Sequence, residues 1–600
     1  MNFYFPESSS PEYTDAVIAQ LGGTRSPINA DNWETYLRLH PDQILARAFV
    51  RSIREGVCIG YMGPRTSYRA PVRTHSHEER QQILEEFYHE ISLGRLAGPF
   101  RELPTTGPFW CTRTSPTFCI DKKNSTRKRR IDHLSFPPDN SINDFINKAD
   151  FPVSYTNMER LTNAILEGEP GDLISCLDIA DAYRQIQINP ADMGLLCSQV
   201  DDDFFINLRA NFGCKSNCGI FDTHSYLLAW MGVTYNSIEG HPELGLRHIE
   251  VILDDINLFH STAGSRTKWG ARLELEHFMK QMQDFLGYPI RAEKTQGPTT
   301  TPTIMGMTFD TENGTITIPD DKCSRYLHDL HHLYTTKPLD DLTPRLTTIP
   351  RLRSLLGKLV HVTNIVYTGR TRLFHLFKCL KGALKSARTA LGSRATRMKI
   401  FPGRLNLVHL STAAQDDVRF WIAIFSQMPR RRLLRRRLPF ADPLQVCRVV
   451  TTDASAWGVG GTYFDTTGVG WYFSHAWNPQ YAVPHSTYGE LLALVIAVAL
   501  WDRDWEGHHI LWRTDCKPHV TGLYRIRVKA PELLPIHDFI DLRSVNGLYQ
   551  YAPRFIKGID NTVADHLSRG IYIDEELRSM KRCRLDMSTL PTTFGTKLLH

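Results

Sequence analysis

Two adjacent aspartates, Asp254 and Asp255, interrupt the apolar run Val251-Ile-Leu-Asp-Asp-Ile-Asn-Leu-Phe259. A charged pair inside a strand-like segment is ordinarily excluded from a core. It becomes sensible where the strand turns sharply and presents both acids to a divalent cation. Upstream, Cys176-Leu-Asp-Ile-Ala-Asp-Ala-Tyr183 places a third carboxylate, Asp178, at the end of another apolar strand. Three acids converging from two strands raise one another's pKa unless cations neutralise them. Two magnesium ions roughly 3.5–4 Å apart would relieve that repulsion and align a 3′-hydroxyl for phosphoryl transfer. The competing reading of an isolated Asp-Asp pair is a solvated turn.

Composition sets the frame for this constellation. Six hundred residues at 42% hydrophobic content can build several cores, so three or four domains are expected. No apolar run approaches the roughly 20 residues that span a bilayer, and Leu491 to Leu500 has only the length of a buried helix. The N-terminus lacks the basic and apolar regions of a signal peptide, and twelve cysteines carry no pairing rhythm. An intracellular protein is expected, in the nucleus or a cytoplasmic nucleoprotein particle. Cys214 and Cys218 have no second pair at zinc spacing. His328, His331 and His332 read as a solvated helix face.

Charge is distributed unevenly. The net charge is +6, yet Arg351 to Phe440 holds 20 Lys or Arg against Asp416 and Asp417, leaving the remainder of the chain at −12. This is the electrostatic footprint of a phosphate-backbone binder. An import signal or basic linker competes for Arg430–Arg437 alone. Leu352, Leu355, Leu356, Leu359, Val362, Ile365 and Val366 recur at helical spacing, which favours a folded basic helix. Residues 1–95 form an N-terminal extension with a helix from Glu78 to Leu93. Residues 96–320 alternate short strands and helices, 321–440 are basic and helical, 441–570 are mixed, and 571–600 read as a peripheral tail.

Taken together, residues 105 to 570 resemble a reverse transcriptase joined to ribonuclease H, with the nearest likeness to DIRS-type retrotransposons. Asp178-Ile-Ala-Asp-Ala-Tyr-Arg-Gln-Ile-Gln-Ile188 resembles the first palm motif and Ile252-Leu-Asp-Asp255 the Tyr-x-Asp-Asp motif. The resemblance implies a right-hand polymerase of fingers, palm and thumb in α+β and α/β architecture, followed by a ribonuclease H-like mixed sheet. It makes Asp178, Asp254 and Asp255 metal-binding acids, with Ile179 beside them in the metal site. Tyr183 falls at the steric gate that favours deoxynucleotides. The basic hairpin Ser115 to Ile131, with its tip at Asn124-Ser125, resembles the fingers, and Lys122 and Arg129 fall where the family grips the triphosphate. Phe212-Gly213 opens a segment resembling the Phe-Gly motif, whose glycine lets backbone approach the nucleotide. Lys294 matches a lysine assigned as general acid for pyrophosphate. Ile304 to Asp310 resembles the primer grip, and Leu355 to Leu359 with Gly369-Arg370 the thumb.

In the same way Asp453, Glu490, Asp515 and Asp565 resemble the four acids of ribonuclease H, which bind two ions and cut RNA. The sequence reading has Glu490 opening its helix, a position that would also suit the helix dipole. The implied partners are RNA template, DNA primer, RNA–DNA hybrid and deoxynucleoside triphosphates, with magnesium, or alternatively manganese, as cofactor. A noncatalytic nucleic-acid-binding derivative of a retroelement polymerase is the rival reading, and an RNA polymerase sharing the palm is a third. The chain departs from the family pattern at Ile252, Asn211, Cys218 and the order Asp132-His133, and Phe555-Ile-Lys-Gly558 lacks the nuclease-loop histidine. None of these departures removes a metal ligand.

Overall fold

The computed structural model describes residues 5–7, 9–72, 75–121, 128–154, 156–260, 267–335, 345–391, 406–426, 430–432, 447–465, 467–480, 483, 485–505, 508–520, 531–546, 549–586 and 590. The chain divides into two units of mixed α and β structure: residues 1–157 with 171–302, and 158–170 with 303–600.

The first unit is organised by a four-stranded antiparallel sheet. Its strands are β1 (Leu173–Asp178), β2 (His248–Ile252), β3 (Asp255–His260) and β4 (Gln296–Thr299), in the order β4-β1-β3-β2. Helix α1 (Asn217–Thr234) packs against β2 through a core that includes Ile220, Phe221, Leu227, Leu228 and Met231. β1 is buried at five of its six positions, which accounts for its nearly continuous apolar run. Its polar residue Ser175 is satisfied internally. His260 Nε2 lies 2.9 Å from Ser175 Oγ, and His260 Nδ1 lies 2.6 Å from Glu274 Oε2. The three residues have the order of a Ser-His-Glu triad, but all are fully buried, so their role is to pin the sheet to the following helix.

The N-terminal extension belongs to this same core. Val17, Ile18, Trp33 and Phe49 share one apolar cluster with Phe221, Met282 and Tyr288. Trp33 meets Tyr288 edge-on at a centroid distance of 6.3 Å. The helix expected over Glu78–Leu93 runs from His77 to Ser92, capped by Ser76 Oγ on the Glu79 N–H. A second small sheet contains Leu96–Phe100, Asp203–Asn207, Cys197–Val200 and Thr114–Ser115. The basic segment forms a hairpin in which Thr117–Asp121 pairs with Lys128–Asp132. Its tip lies outside the described residues.

The second unit takes in the helix Met158–Leu166 and resumes with the hairpin Thr303–Ile304 and Met307–Asp310. Helices α2 (Ile349–Val362) and α3 (Phe374–Leu391) follow. The apolar stripe of α2 buries Leu352, Leu355, Leu356, Leu359 and Val362, the spacing read from the sequence. Ile365 and Val366 are buried just beyond the helix. Of the densest basic run, Arg430–Arg432 forms a strand antiparallel to Thr315–Thr317, and residues 433–437 lie outside the described residues.

The rest of this unit is built on a six-stranded sheet. It comprises β5 (Cys447–Ala454), β6 (Gly458–Phe464), β7 (Gly470–Ala476), β8 (His509–Thr514), β9 (Gln550–Phe555) and β10 (Met580–Arg582), ordered β9-β8-β5-β6-β7-β10. β5 is antiparallel to β6 and parallel to β8. β10 corrects the reading of a peripheral tail, because it pairs with the otherwise open edge of β7. Helix α4 (Ser486–Trp501) is buried almost all round, as the apolar run Leu491–Trp501 requires. It packs with Val450 and Val459, while the adjacent Gly460 lies against α5 (Thr562–Ser568). A Cβ at Gly460 would fall 2.5 Å from Leu567 Cβ and the Ser568 nitrogen, so only glycine lets α5 sit this close.

Candidate active sites

The first carboxylate group is assembled by strand register. Asp178, the last residue of β1, is the direct partner of Asp255, the first residue of β3, and Asp254 occupies the two-residue turn from β2. That turn needs a left-handed residue, and Leu253 supplies it at φ 57°. Ser225 of α1 stabilises the conformation by donating its hydroxyl to the Leu253 carbonyl at 2.6 Å. The Ile179 N–H donates to the Asp254 carbonyl at 3.0 Å, tying the end of β1 to the turn.

Asp255 is exposed at the end of an inner strand of the sheet. Withdrawal of its carboxyl from water, reinforced by Asp254 and Asp178, nevertheless pushes its pKa up to about 6, against the pull of Lys294. Lys294 donates to both oxygens of Asp178, at 2.9 and 3.0 Å. Three residues to which the sequence reading gave no role, Arg291, Arg95 and Glu90, complete the surroundings. Arg291 reaches Asp178 at 3.6 Å and Asp181 at 2.7 Å. Arg95 joins Asp181 at 3.1 Å to Glu90 at 3.6 Å, and Glu90 accepts from Arg184 at 2.6 Å. Burial alone would raise the Asp181 pKa, but Arg95 and Arg291 hold it below the ordinary value. Glu90 lies 88 positions before Asp178, so no local motif could reveal this charge relay.

Tyr183 packs edge-on against Phe212 at 5.5 Å and Phe221 at 5.8 Å, and its hydroxyl meets Cys218 Sγ at 3.1 Å. Cys214 Sγ contacts Ser216 Oγ at 3.2 Å. The need for glycine at 213 has a cause within the protein itself. At φ 124°, a Cβ there would lie 2.0 Å from the Asp132 carbonyl oxygen, so the close approach is to protein. Asp132 is a buried hub that accepts from Thr117 Oγ1, Ser198 Oγ and Asn211 Nδ2 at 2.9, 3.1 and 2.7 Å. Two departures from the family pattern, Asn211 and Asp132, thus bond to each other. Arg129 lies on the hairpin strand opposite Ile120. Lys122 lies outside the described residues.

The second carboxylate group is tighter. Asp453 near the end of β5, Glu490 within α4 and Asp515 just after β8 each bring an oxygen within 4.8 Å of the others. Among the described residues no other set of three His, Cys, Asp or Glu does so. Glu490 does not open its helix. α4 begins four residues earlier, capped by the His485 side chain on the Tyr488 N–H, and Glu490 projects from the second turn. Its Oε1 accepts from the Ala454 N–H at 3.2 Å, and its buried Oε2 has no protein partner.

Burial, then Asp453 and Asp515, push Glu490 up to about 9. Burial, then Asp515 and Asp565, push Asp453 up to about 6, although a Ser568 hydrogen bond opposes them. Asp515 is also raised, chiefly by burial and then by Asp565. Asp565 stands outside the tight group and is held by Arg569, whose Nη2 is 2.7 Å from its Oδ1. The loop without the histidine passes beside the site, since a Cβ at Gly558 would lie 3.3 Å from Asp515 Oδ2.

Three crowded carboxylates, one with a buried oxygen lacking any donor, form a hard oxygen set suited to a divalent cation such as magnesium or manganese. No helix among the described residues is long and apolar enough to cross a membrane.

No protein-family model matches the chain. No curated protein matches it either. Among solved structures it is similar to a foamy viral protease-reverse transcriptase, dRH, in complex with double-stranded DNA. That match has 12% identity and a TM-score of 0.44, over 89% of this chain and 82% of the other. A foamy viral protease-reverse transcriptase with RNA/DNA hybrid gives 12% and 0.45, over 89% and 63%. One with double-stranded DNA gives 12% and 0.45, over 89% and 98%. At such values the functional reading rests on the side chains themselves.

Proposed function

We propose that this chain is an RNA-directed DNA polymerase that also degrades the RNA of an RNA–DNA hybrid, as the replication enzyme of a DIRS-type retroelement. The observation that carries the reading is the register pairing of Asp178 with Asp255, with Asp254 in the adjoining turn. A separate group, Asp453, Glu490 and Asp515, supports the nuclease half. In the palm, Asp178, Asp254 and Asp255 would hold magnesium, beside the Ile179 backbone. In the nuclease, Asp453, Glu490 and Asp515 would hold it, with Asp565 at the margin. The bound ions would supply charge neutralisation and an activated oxygen nucleophile.

The chain's own residues do the remaining work. Tyr183, braced by Phe212, walls off the 2′ side of an incoming deoxynucleoside triphosphate, and Lys122 and Arg129 grip its phosphates. Lys294 exchanges Asp178 for the departing pyrophosphate and gives it a proton. The basic residues of 351–440 receive template and primer phosphates. We place this activity inside the cell, in the nucleus or a nucleoprotein particle.

Primer extension on an RNA template with deoxynucleotides and magnesium tests the polymerase half. Asp254→Asn is expected to cut extension at least about a thousandfold while hybrid cleavage persists. Asp453→Asn is expected to do the reverse. Full extension by Asp254→Asn, or cleavage by Asp453→Asn at the unaltered rate, refutes the corresponding assignment.

A further inference from the structure

Asn561 lies just before α5 and is 2% exposed. Its Nδ2 sits 3.2 Å from Asp453 Oδ1 and 3.4 Å from the Thr452 carbonyl, so both amide hydrogens go to the strand that carries Asp453. Its Oδ1 is buried without a hydrogen-bond partner. An orphaned buried carbonyl of this kind is destabilising, because it has given up its water without a replacement donor. A side chain serving only to pack would not retain it, because an apolar residue of similar size would fill the same space more favourably. Buried groups left unsatisfied in this way call for a specific explanation.

The rest of the backbone explains how Asn561 is placed. Its N–H donates to the Gly558 carbonyl at 3.0 Å, and its carbonyl accepts from the Asp565 N–H at 3.0 Å, locking it between the Gly558 turn and the first turn of α5. Gly460 then allows α5 to press directly onto β6. One short segment therefore bridges from beside Asp515 to Asp453.

We infer that Asn561 is a positioning residue of the nuclease metal site, holding the Asp453 carboxylate in the orientation that closes the group with Glu490 and Asp515. A donor on one carboxylate oxygen leaves the other for the ion and restricts rotation of the ligand. Partners behind a metal ligand commonly contribute about 10–100-fold to metal affinity or activity. This inference rests on the nuclease reading above, and its test separates the two.

The full chain carrying Asp178→Asn, Asp254→Asn and Asp255→Asn silences the palm, so that calorimetric titration with manganese reports the nuclease carboxylates alone. In that background Asn561→Ala is expected to weaken manganese binding about tenfold or more. It should lower kcat for hybrid cleavage, with KM for the hybrid and the melting temperature nearly unchanged. Asn561→Asp keeps the shape but removes both donors, and its binding should also fall below that of the unaltered residue. If Asn561→Ala does not fold, the aspartate variant alone decides. Equal or tighter binding by Asn561→Asp overturns the inference, as does unaltered binding by Asn561→Ala. If Asp453→Asn changes nothing in the same titration, the nuclease reading itself has failed.

Discussion

The ring of Tyr183 is held on two sides by Phe212 and Phe221, and its hydroxyl is engaged by Cys218 rather than left to solvent. The ring is therefore held in place by protein contacts alone. Removing it with Tyr183→Ala should relax discrimination against ribonucleotides at least about tenfold, whereas Tyr183→Phe keeps the ring and should retain it. Single-nucleotide incorporation with paired ribo- and deoxynucleotides measures this directly. At the residue scale, acids in apolar runs were legible because charge at such places has few explanations. The residues that support them were not. Ser225, Arg291, Glu90 and Asn561 act through contacts that join distant segments, and each is an unremarked polar residue in its own neighbourhood.

Elements were legible where one periodicity was strong and uninterrupted. The α2 stripe and the apolar run of α4 follow their sequences closely. Reading failed where edge pairing decided the outcome. Arg430–Arg432 and Met580–Arg582 become strands because Thr315–Thr317 and β7 present open edges to them. Nothing in three consecutive residues announces that. The Phe212-Gly213 segment shows a contact the sequence did not announce, since the glycine lies against the Asp132 carbonyl. Gly213→Ala should therefore destabilise the first unit by about 2 kcal/mol or more through steric overlap and a disfavoured φ. Denaturant unfolding would show it, and an unchanged midpoint would contradict the close approach.

At the scale of the whole molecule, both carboxylate groups store repulsion that depends on pH. Asp255 and Asp453 are raised to about 6, Glu490 to about 9, and Asp515 upward. Carboxyls raised in the folded chain bind more protons there than in the unfolded chain. From this source, stability is greatest below the unfolded values near pH 4 and declines as pH rises toward 9. Saturating magnesium should offset the repulsion, so its effect on melting temperature should be larger at pH 8 than at pH 5. Melting curves at the two pH values, with and without the ion, test this. Equal magnesium effects would contradict it.

The apolar cluster that joins Trp33 and Phe49 to Phe221 and Tyr288 has a practical corollary. Someone trimming this polypeptide to its recognisable motifs would cut near residue 95 and remove the inner lining of the first unit. What remained would present a greasy wound to water, and its failure to stay in solution would say nothing about whether the intact chain is active.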